Sequence, residues 1–354
     1  MNIHLYTSKA LRAAACAICV LSAAFVSPRT DACTRVVYHG LDNLYVVGRS
    51  LDWKTPIPTN LYVYPRGIEK RGHNLPGCVS WTSKYGAVYA VSYDGGVTEG
   101  MNEKGLVVNS LFCKETIYTN DSTMSRPPIS MAMFTAWILD TCATAEEVRA
   151  LMEKHDFNLG GSTFDEGTVA ALHWGVTDHT GASIVIEFDH GNINVYDMGD
   201  YRAMTNDPQW PKMTAIVDYW NKIGGTHMMP GTVSSPDRCV RANFFAHNVE
   251  PTAQADLGAS ICRSILVGSS VPYLYTVEGE PNVSSTQWRS YSNIRDLRYY
   301  FDIVTNDGIY YIDLKGLILK KGAPILKLVT KNTMTVTGNA NALLKPSEGF
   351  TPMY

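Results

Sequence analysis

Cys33-Thr34-Arg35-Val36-Val37-Tyr38-His39-Gly40-Leu41-Asp42-Asn43-Leu44-Tyr45-Val46-Val47-Gly48-Arg49-Ser50-Leu51-Asp52-Trp53 is the stretch on which the fold turns. Residues 33–38 and 44–49 alternate in character and are rich in Val, and the intervening 39–43 holds Gly40, Asp42 and Asn43. Two such runs around a short turn read as an antiparallel hairpin. That reading sets Cys33 at the edge of one strand, with Arg49 and Asp52 beyond the end of its partner, where the three can meet.

Outward from the hairpin, further strands are expected at 60–64, 87–92, 106–112, 170–177, 183–188 and 193–196, with turns at 178–181 and 189–192. Asn206 falls just past this meander, at a strand end. Helices are expected at 129–142, at 145–155 behind a Thr144/Glu147 capping box, at 211–223 before Gly224-Gly225, and at 237–247 and 257–267. Strands return at 287–292, 297–304 and 309–314, the last two joined by Thr305-Asn306-Asp307-Gly308. Strands, then helices, then strands without βαβ alternation predict an α+β fold of antiparallel sheets covered by helices. With neither repeat nor linker, residues 33–354 read as one domain.

What precedes Cys33 reads differently. Lys9 and Arg12 lead into an apolar run at 13–26, closed by Ser27-Pro28-Arg29-Thr30-Asp31-Ala32. A positive start, a short apolar stretch and a small residue before the cut describe a secretory signal, so 1–32 are expected to be removed and the protein exported, to the periplasm or beyond. The run is shorter than the ~20 apolar residues a membrane span needs, and no later segment supplies one. Of 354 residues, 30 are Lys or Arg and 33 are Asp or Glu, a net charge of −3 that becomes −5 without residues 1–32. An acidic chain has no electrostatic means of holding nucleic acid.

Cys16 and Cys19 leave with the signal, and Cys33, Cys78, Cys113, Cys142, Cys239 and Cys262 remain. Their wide spacing, and the odd number left if Cys33 stays free, argue against a disulfide framework. Cys33 itself has three readings: a buried strand residue, a lipid-attachment site, or an N-terminal nucleophile. Lipidation fits poorly, since Thr30 stands where a lipoprotein signal has Leu and Asp31 where it has a small residue. A nucleophile fits the chemistry. An α-amine with a pKa of about 7.7–8.0 sits on the same residue as the thiol and can take its proton with no His partner. A neighbouring cation would favour the thiolate further.

Further signals accumulate in order: Trp81-Thr82-Ser83-Lys84-Tyr85-Gly86, Glu99-Gly100-Met101-Asn102-Glu103-Lys104-Gly105-Leu106, Met204-Thr205-Asn206-Asp207-Pro208, Pro230-Gly231-Thr232, Ser235-Pro236-Asp237-Arg238 and Ser285-Thr286-Gln287-Trp288-Arg289. With the Cys33 and Arg49–Asp52 segments, this ordered set resembles the choloylglycine hydrolase family, which contains bile salt hydrolases and penicillin V acylases. The resemblance implies an N-terminal nucleophile hydrolase with an αββα four-layer sandwich, acting on linear amides such as conjugated bile salts, penicillin V-type acyl amides or N-acyl homoserine lactones, and a homo-oligomer, a tetramer by family likeness. Carried over, Cys33 is the nucleophile, Arg49 lowers its pKa, Asp52 orients the α-amine, Asn206 holds the oxyanion and Arg238 supports the site. Taken singly, Arg49 and Asp52 would read as an ion pair and Asn206 as a turn residue.

The sequence departs from the family in places. Phe112 stands where gut bile salt hydrolases have Asn; it can still serve the oxyanion hole through its backbone N–H, and an aromatic here, with no long insertion between Asn206 and Trp220, resembles the exported subgroup. Asn109 is a second polar candidate for that role. Asp207 and Cys239 replace a more usual Ser and Phe. Trp53 and Phe112 are the expected walls of the acyl pocket, while Met131, Met133, Phe134 and Trp137 read as helix core. No His-Glu-x-x-His, Cys-x-x-Cys, Gly-x-Ser-x-Gly or phosphate-loop motif occurs, so neither metal nor cofactor is implied. The rivals are a papain-like peptidase using Cys113 or Cys142, which lacks its sequence context, and a lipid-anchored exported binding protein.

Overall fold

The computed structural model describes residues 33–118, 125–161, 163–164, 168–224, 227–276 and 284–354, with backbone alone at 163–164 and 168–169. The signal sequence expected at 1–32 lies outside the described residues.

The hairpin forms as expected, from β1 (Thr34–His39) and β2 (Tyr45–Trp53), with Thr34 opposite Ser50 and His39 opposite Tyr45. Asp42 and Asn43 take left-handed backbone angles in the turn, which those residue types tolerate. β2 runs on past the end of β1 because it is paired on its other side too. Ser285–Asn293 lies against it, with Thr286 opposite Asp52 and Ser285 opposite Trp53. Arg49 and Asp52 are therefore inside a central strand, not beyond its end.

The hairpin belongs to a seven-stranded sheet ordered Ala203–Met204, β1, β2, Ser285–Asn293, Arg298–Ile303, Tyr310–Asp313, Gly338–Asn339. A nine-stranded sheet runs Asn192–Asp197, Ser183–Asp189, Leu172–Thr177, Val107–Phe112, Gly96–Asn102, Ala87–Ser92, Thr59–Tyr64, Leu326–Leu328, Lys345–Pro346. Pairing is antiparallel in both, save Gly338–Asn339, which joins Tyr310–Asp313 in parallel. Alternation along β1 assigns the layers. Val37 joins Val47, Leu51, Val88 and Phe301 between the sheets, while Val36 and Tyr38 point the other way. There they meet the helices Trp210–Ile223, Ser235–Asn248 and Ala255–Ser269. The helices Met131–Thr141 and Ala145–Lys154 cover the outer face of the larger sheet through Phe134, Trp137 and Leu139. The result is the four-layer αββα sandwich.

All five expected helices are present to within two residues. At the Thr144 cap, Thr144 Oγ1 accepts from the Glu147 N–H at 3.1 Å, and the Glu147 carboxylate reaches back to the Ala143 N–H at 2.6 Å. The central strand Gly96–Asn102 falls outside the expected strands. Gly100 answers a packing demand: a Cβ there would stand 2.3 Å from the Val88 carbonyl oxygen and 2.8 Å from Leu139 Cδ1. Gly100→Ala is expected to cost about 1–3 kcal/mol through overpacking, read as a lower urea midpoint at unchanged slope.

Candidate active site

Strand alternation sorts the hairpin side chains into two groups around Cys33. The thiol shares the inter-sheet face with Arg49, Leu51 and Trp53; Thr34, Ser50 and Asp52 occupy the helix-facing side. Cys33 is 4% exposed, so the polar atoms near it depend on protein partners.

On the inter-sheet face, Arg49 Nη2 donates to Cys33 Sγ at 3.6 Å and to the Ser110 carbonyl at 3.0 Å. Arg49 Nη1 pairs with Glu99 Oε2 at 3.2 Å, and the guanidinium stands 4.8 Å from the Trp288 ring centroid. Glu99 is fully buried and accepts from the Ser290 and Tyr299 hydroxyls, the latter at 2.6 Å. Glu99 therefore holds Arg49 against the thiol. It sits within a quoted motif but drew no role from sequence, since its partners come from strands two hundred residues away.

On the other face, the register of Ala203–Met204 against β1, with Met204 opposite Arg35, carries the chain on to set Asn206 beside Cys33. The Cys33 backbone N–H donates to Asn206 Oδ1 at 2.5 Å. Arg238, from the helix Ser235–Asn248, donates through Nη2 to the same oxygen at 2.9 Å, and through Nη1 to the Cys33 carbonyl and Thr34 Oγ1, both at 2.6 Å. Two donors on Oδ1 determine which way the Asn206 amide faces. Its Nδ2 then donates to the Phe112 carbonyl at 2.7 Å and has a second N–H to spare. Asp52 Oδ2 stands 4.0 Å from Arg238 Nη1 and accepts from Ser50 Oγ at 3.3 Å. Asp52 Oδ1 is buried and meets no hydrogen-bond donor.

Burial raises the Cys33 thiol pKa above its ordinary value, and Arg49 is the main influence drawing it back. Burial likewise raises the Asp52 carboxyl, with Arg238 opposing.

Cys33 and Arg49 open onto a cavity of about 150 Å³ whose other walls include Trp53, Phe112, Met131 and Met353. Trp53 and Phe112 meet edge-to-face at 5.8 Å, as expected of pocket walls. The Cys113 N–H bonds the Ala171 carbonyl, which turns the Phe112 N–H toward the other edge of its strand, past the end of its pairing with Gly96–Asn102. Asn109 is drawn elsewhere: its Oδ1 accepts from Arg35 Nε at 2.8 Å, and it does not line the cavity. Met131 lines the pocket, whereas Met133, Phe134 and Trp137 belong to the helix core, as does Met131 in part.

Behind Asn206, Cys113, His173 and Glu187 bring potential metal-binding atoms within 4.8 Å of one another. Those atoms are already engaged. His173 Nδ1 meets Glu187 at 3.0 Å and Nε2 the Thr205 carbonyl at 2.8 Å, and both Glu187 oxygens receive the Trp210 N–H at 2.9 and 3.0 Å. The chain of bonds steadies Thr205, and through it Asn206. All six cysteines among the described residues are unpaired thiols. Cys113, the peptidase rival's candidate, is pushed up to about 12 by burial and the Glu187 charge.

The family model of linear amide C–N hydrolases, choloylglycine hydrolase family, matches residues 33–327. The chain is 32% identical to penicillin V acylase of Pectobacterium atrosepticum, over 97% of this chain and 98% of that protein. It is 28% identical to the bile salt hydrolase/transferase of Clostridium perfringens, over 80% and 92%. Penicillin V acylase from Agrobacterium tumefaciens superposes with a TM-score of 0.83 at 36% identity, covering 90% of this chain and 99% of that one.

The Arg49–Glu99 pair yields a stability test. Arg49→Leu leaves a buried carboxylate alone and is expected to cost about 3–5 kcal/mol. Arg49→Leu/Glu99→Gln should recover most of that loss in urea unfolding, since neither charge is then orphaned.

Proposed function

The chain belongs to the linear amide C–N hydrolases of the choloylglycine hydrolase family, and from that premise we propose that it hydrolyses amides whose acyl part carries one aromatic ring, of the kind penicillin V presents. The observation that carries this reading is the cavity beside the Cys33 thiol. Its volume of about 150 Å³ is that of a site which takes one benzene ring. Aromatic and thioether walls suit such a ring, and the penicillin V acylases are the more similar relatives by identity.

In this reading residues 1–32 are removed on export, and the Cys33 nitrogen becomes a free α-amine. The orphaned Asp52 Oδ1 supports that step: it is a buried acceptor where an ammonium brings hydrogens that a peptide N–H lacks. The neutral amine takes the thiol proton as sulfur attacks the amide carbon. Negative charge gathers on the carbonyl oxygen, toward which Asn206 Nδ2 and the Phe112 N–H donate. The C–N bond breaks as the ammonium returns its proton to the leaving amine, and an acyl thioester remains on Cys33. Water, deprotonated by the same amine, attacks the thioester, and the thiolate leaves and is reprotonated. Arg49 stabilises the sulfur anion in both steps, and Arg238 holds Asn206 and the Cys33 carbonyl still throughout.

The same reading makes the protein exported and free of any membrane span; among the described residues no helix is long and apolar enough to cross a membrane. It also makes the chain a homo-oligomer, supported by Tyr219 and Ile223 exposed along the helix Trp210–Ile223.

Side-by-side kcat/KM values on penicillin V, glycocholate, taurocholate and a long-chain acyl homoserine lactone test the substrate. Penicillin V is expected to lead; preference for either bile salt refutes the aryl reading. Cys33→Ala is expected to abolish turnover in a folded protein. Asn206→Ala should lower kcat about 10²–10³-fold with KM little changed; a loss confined to KM would remove Asn206 from the oxyanion role. Amino-terminal sequencing of the exported protein is expected to begin at an unmodified Cys33, whereas a lipidated one would favour the binding-protein rival.

A further inference from the structure

The residues that match the family model end at 327, yet the chain beyond them returns to the active-site cavity. Lys345–Pro346 forms the edge of the nine-stranded sheet, paired to Leu326–Leu328. Past it, Gly349 turns with φ +98°, and a Cβ there would lie 2.5 Å from Tyr64 Oη, so only glycine fits. The Phe350 N–H then donates to Tyr64 Oη at 3.1 Å, and its ring packs edge-on against Tyr62 and Tyr64 at 5.7 and 5.9 Å. The Met353 N–H donates to the Gly95 carbonyl at 2.9 Å, and Ser130 Oγ donates to the Met353 carbonyl at 3.4 Å. Tyr354 stacks on His73 at 5.2 Å. The segment is thus anchored on three neighbouring strands or loops and at the start of the helix Met131–Thr141. With its backbone so held, the Met353 side chain lines the same cavity as Cys33, alongside Met131.

We propose that Met353 is a specificity-determining residue of the acyl pocket, supplied by a segment outside the residues shared with the family model. The inference rests on reading the cavity as the acyl site. Met353 remains 46% exposed while lining it, which sets it at the rim. There it limits how far an acyl group can extend from the carbon bonded to the Cys33 sulfur. A single ring on a short linker ends against the thioether, where sulfur–aromatic contact is favourable. A longer or stiffer acyl group has to displace it. Because the anchors lie on Tyr64, Gly95 and Ser130 and not on β1 or β2, this wall can vary in size without displacing the nucleophile.

The test uses the full chain and amides sharing one leaving amine: phenoxyacetyl, phenylacetyl and decanoyl derivatives of 6-aminopenicillanic acid. Met353→Ala, which removes Cγ, Sδ and Cε, is expected to raise the decanoyl-to-phenoxyacetyl ratio of kcat/KM by about tenfold or more, tenfold being the low end for a single methylene in an apolar pocket. Met353→Trp should lower that ratio. Gly349→Ala, which never touches the pocket, should follow Met353→Ala by releasing the segment from Tyr64. A merely structural role would depress all three substrates alike. Ratios unchanged in Met353→Ala and Met353→Trp, with thermal midpoints near that of the parent, overturn the proposal. Should the parent prefer another amide series, the ratio of long to short acyl groups within that series is the reading taken, which separates a wrong substrate class from a wrong wall.

Discussion

Arg238 is the contact on which the site depends. Its guanidinium is fully buried, and its donors go to the Cys33 carbonyl, Thr34 Oγ1, Asn206 Oδ1 and the Val233 carbonyl. A buried cation is tolerable only where acceptors surround it and a carboxylate lies near, which is the place Asp52 fills. One side chain thus ties together the start of β1, the end of the strand Ala203–Met204 and the first turn of the helix Ser235–Asn248. A guanidinium suits the task because its planar fork offers five donors in set directions.

Arg49 does the complementary work on the opposite face of the same hairpin. It is held by Glu99, which the hydroxyls of Ser290 and Tyr299 hold in turn. Because the side chain of a strand residue stands off the sheet while its N–H and C=O lie in the sheet plane, the thiol and the main-chain nitrogen of Cys33 meet different partners. Arg49 faces the sulfur, while Asn206 and Arg238 face the peptide groups. The surroundings of the two Cys33 atoms can therefore be set separately. Burial raises the thiol pKa while Arg49 draws it back, and in the proposed mechanism the thiol proton is removed during attack. That is the service an amine on the same residue can give.

Much of this was legible in advance where the signal is local. Apolar periodicity and caps located the helices, and the turn at Asp42-Asn43 located the hairpin. Arg49, Asp52, Asn206 and Arg238 came forward through ordered motifs, and the structure gathers them around Cys33. Asn109 shows the limit: its residue type suits an oxyanion donor, yet Arg35 claims its side-chain oxygen. Glu99 shows another, because its identity as a positioning group depends on Ser290 and Tyr299 arriving from a distant strand pair. Glycines hid the strand Gly96–Asn102, since a residue selected for close backbone approach looks the same in sequence as one selected for a turn.

By itself the sequence determined the chemistry on offer: a cysteine at position 33, the cations and carboxylates able to serve it, and the α+β order of elements. These follow from residue type and short-range spacing, which neighbouring residues alone can express. The tertiary structure decided which face each group occupies, how deeply the thiol is buried, and how large a group fits beside it. It also brought Met353 back from the far end of the chain to the pocket rim. Such facts depend on contacts between segments hundreds of residues apart, and on the register of two stacked sheets, where a shift of one residue exchanges the faces.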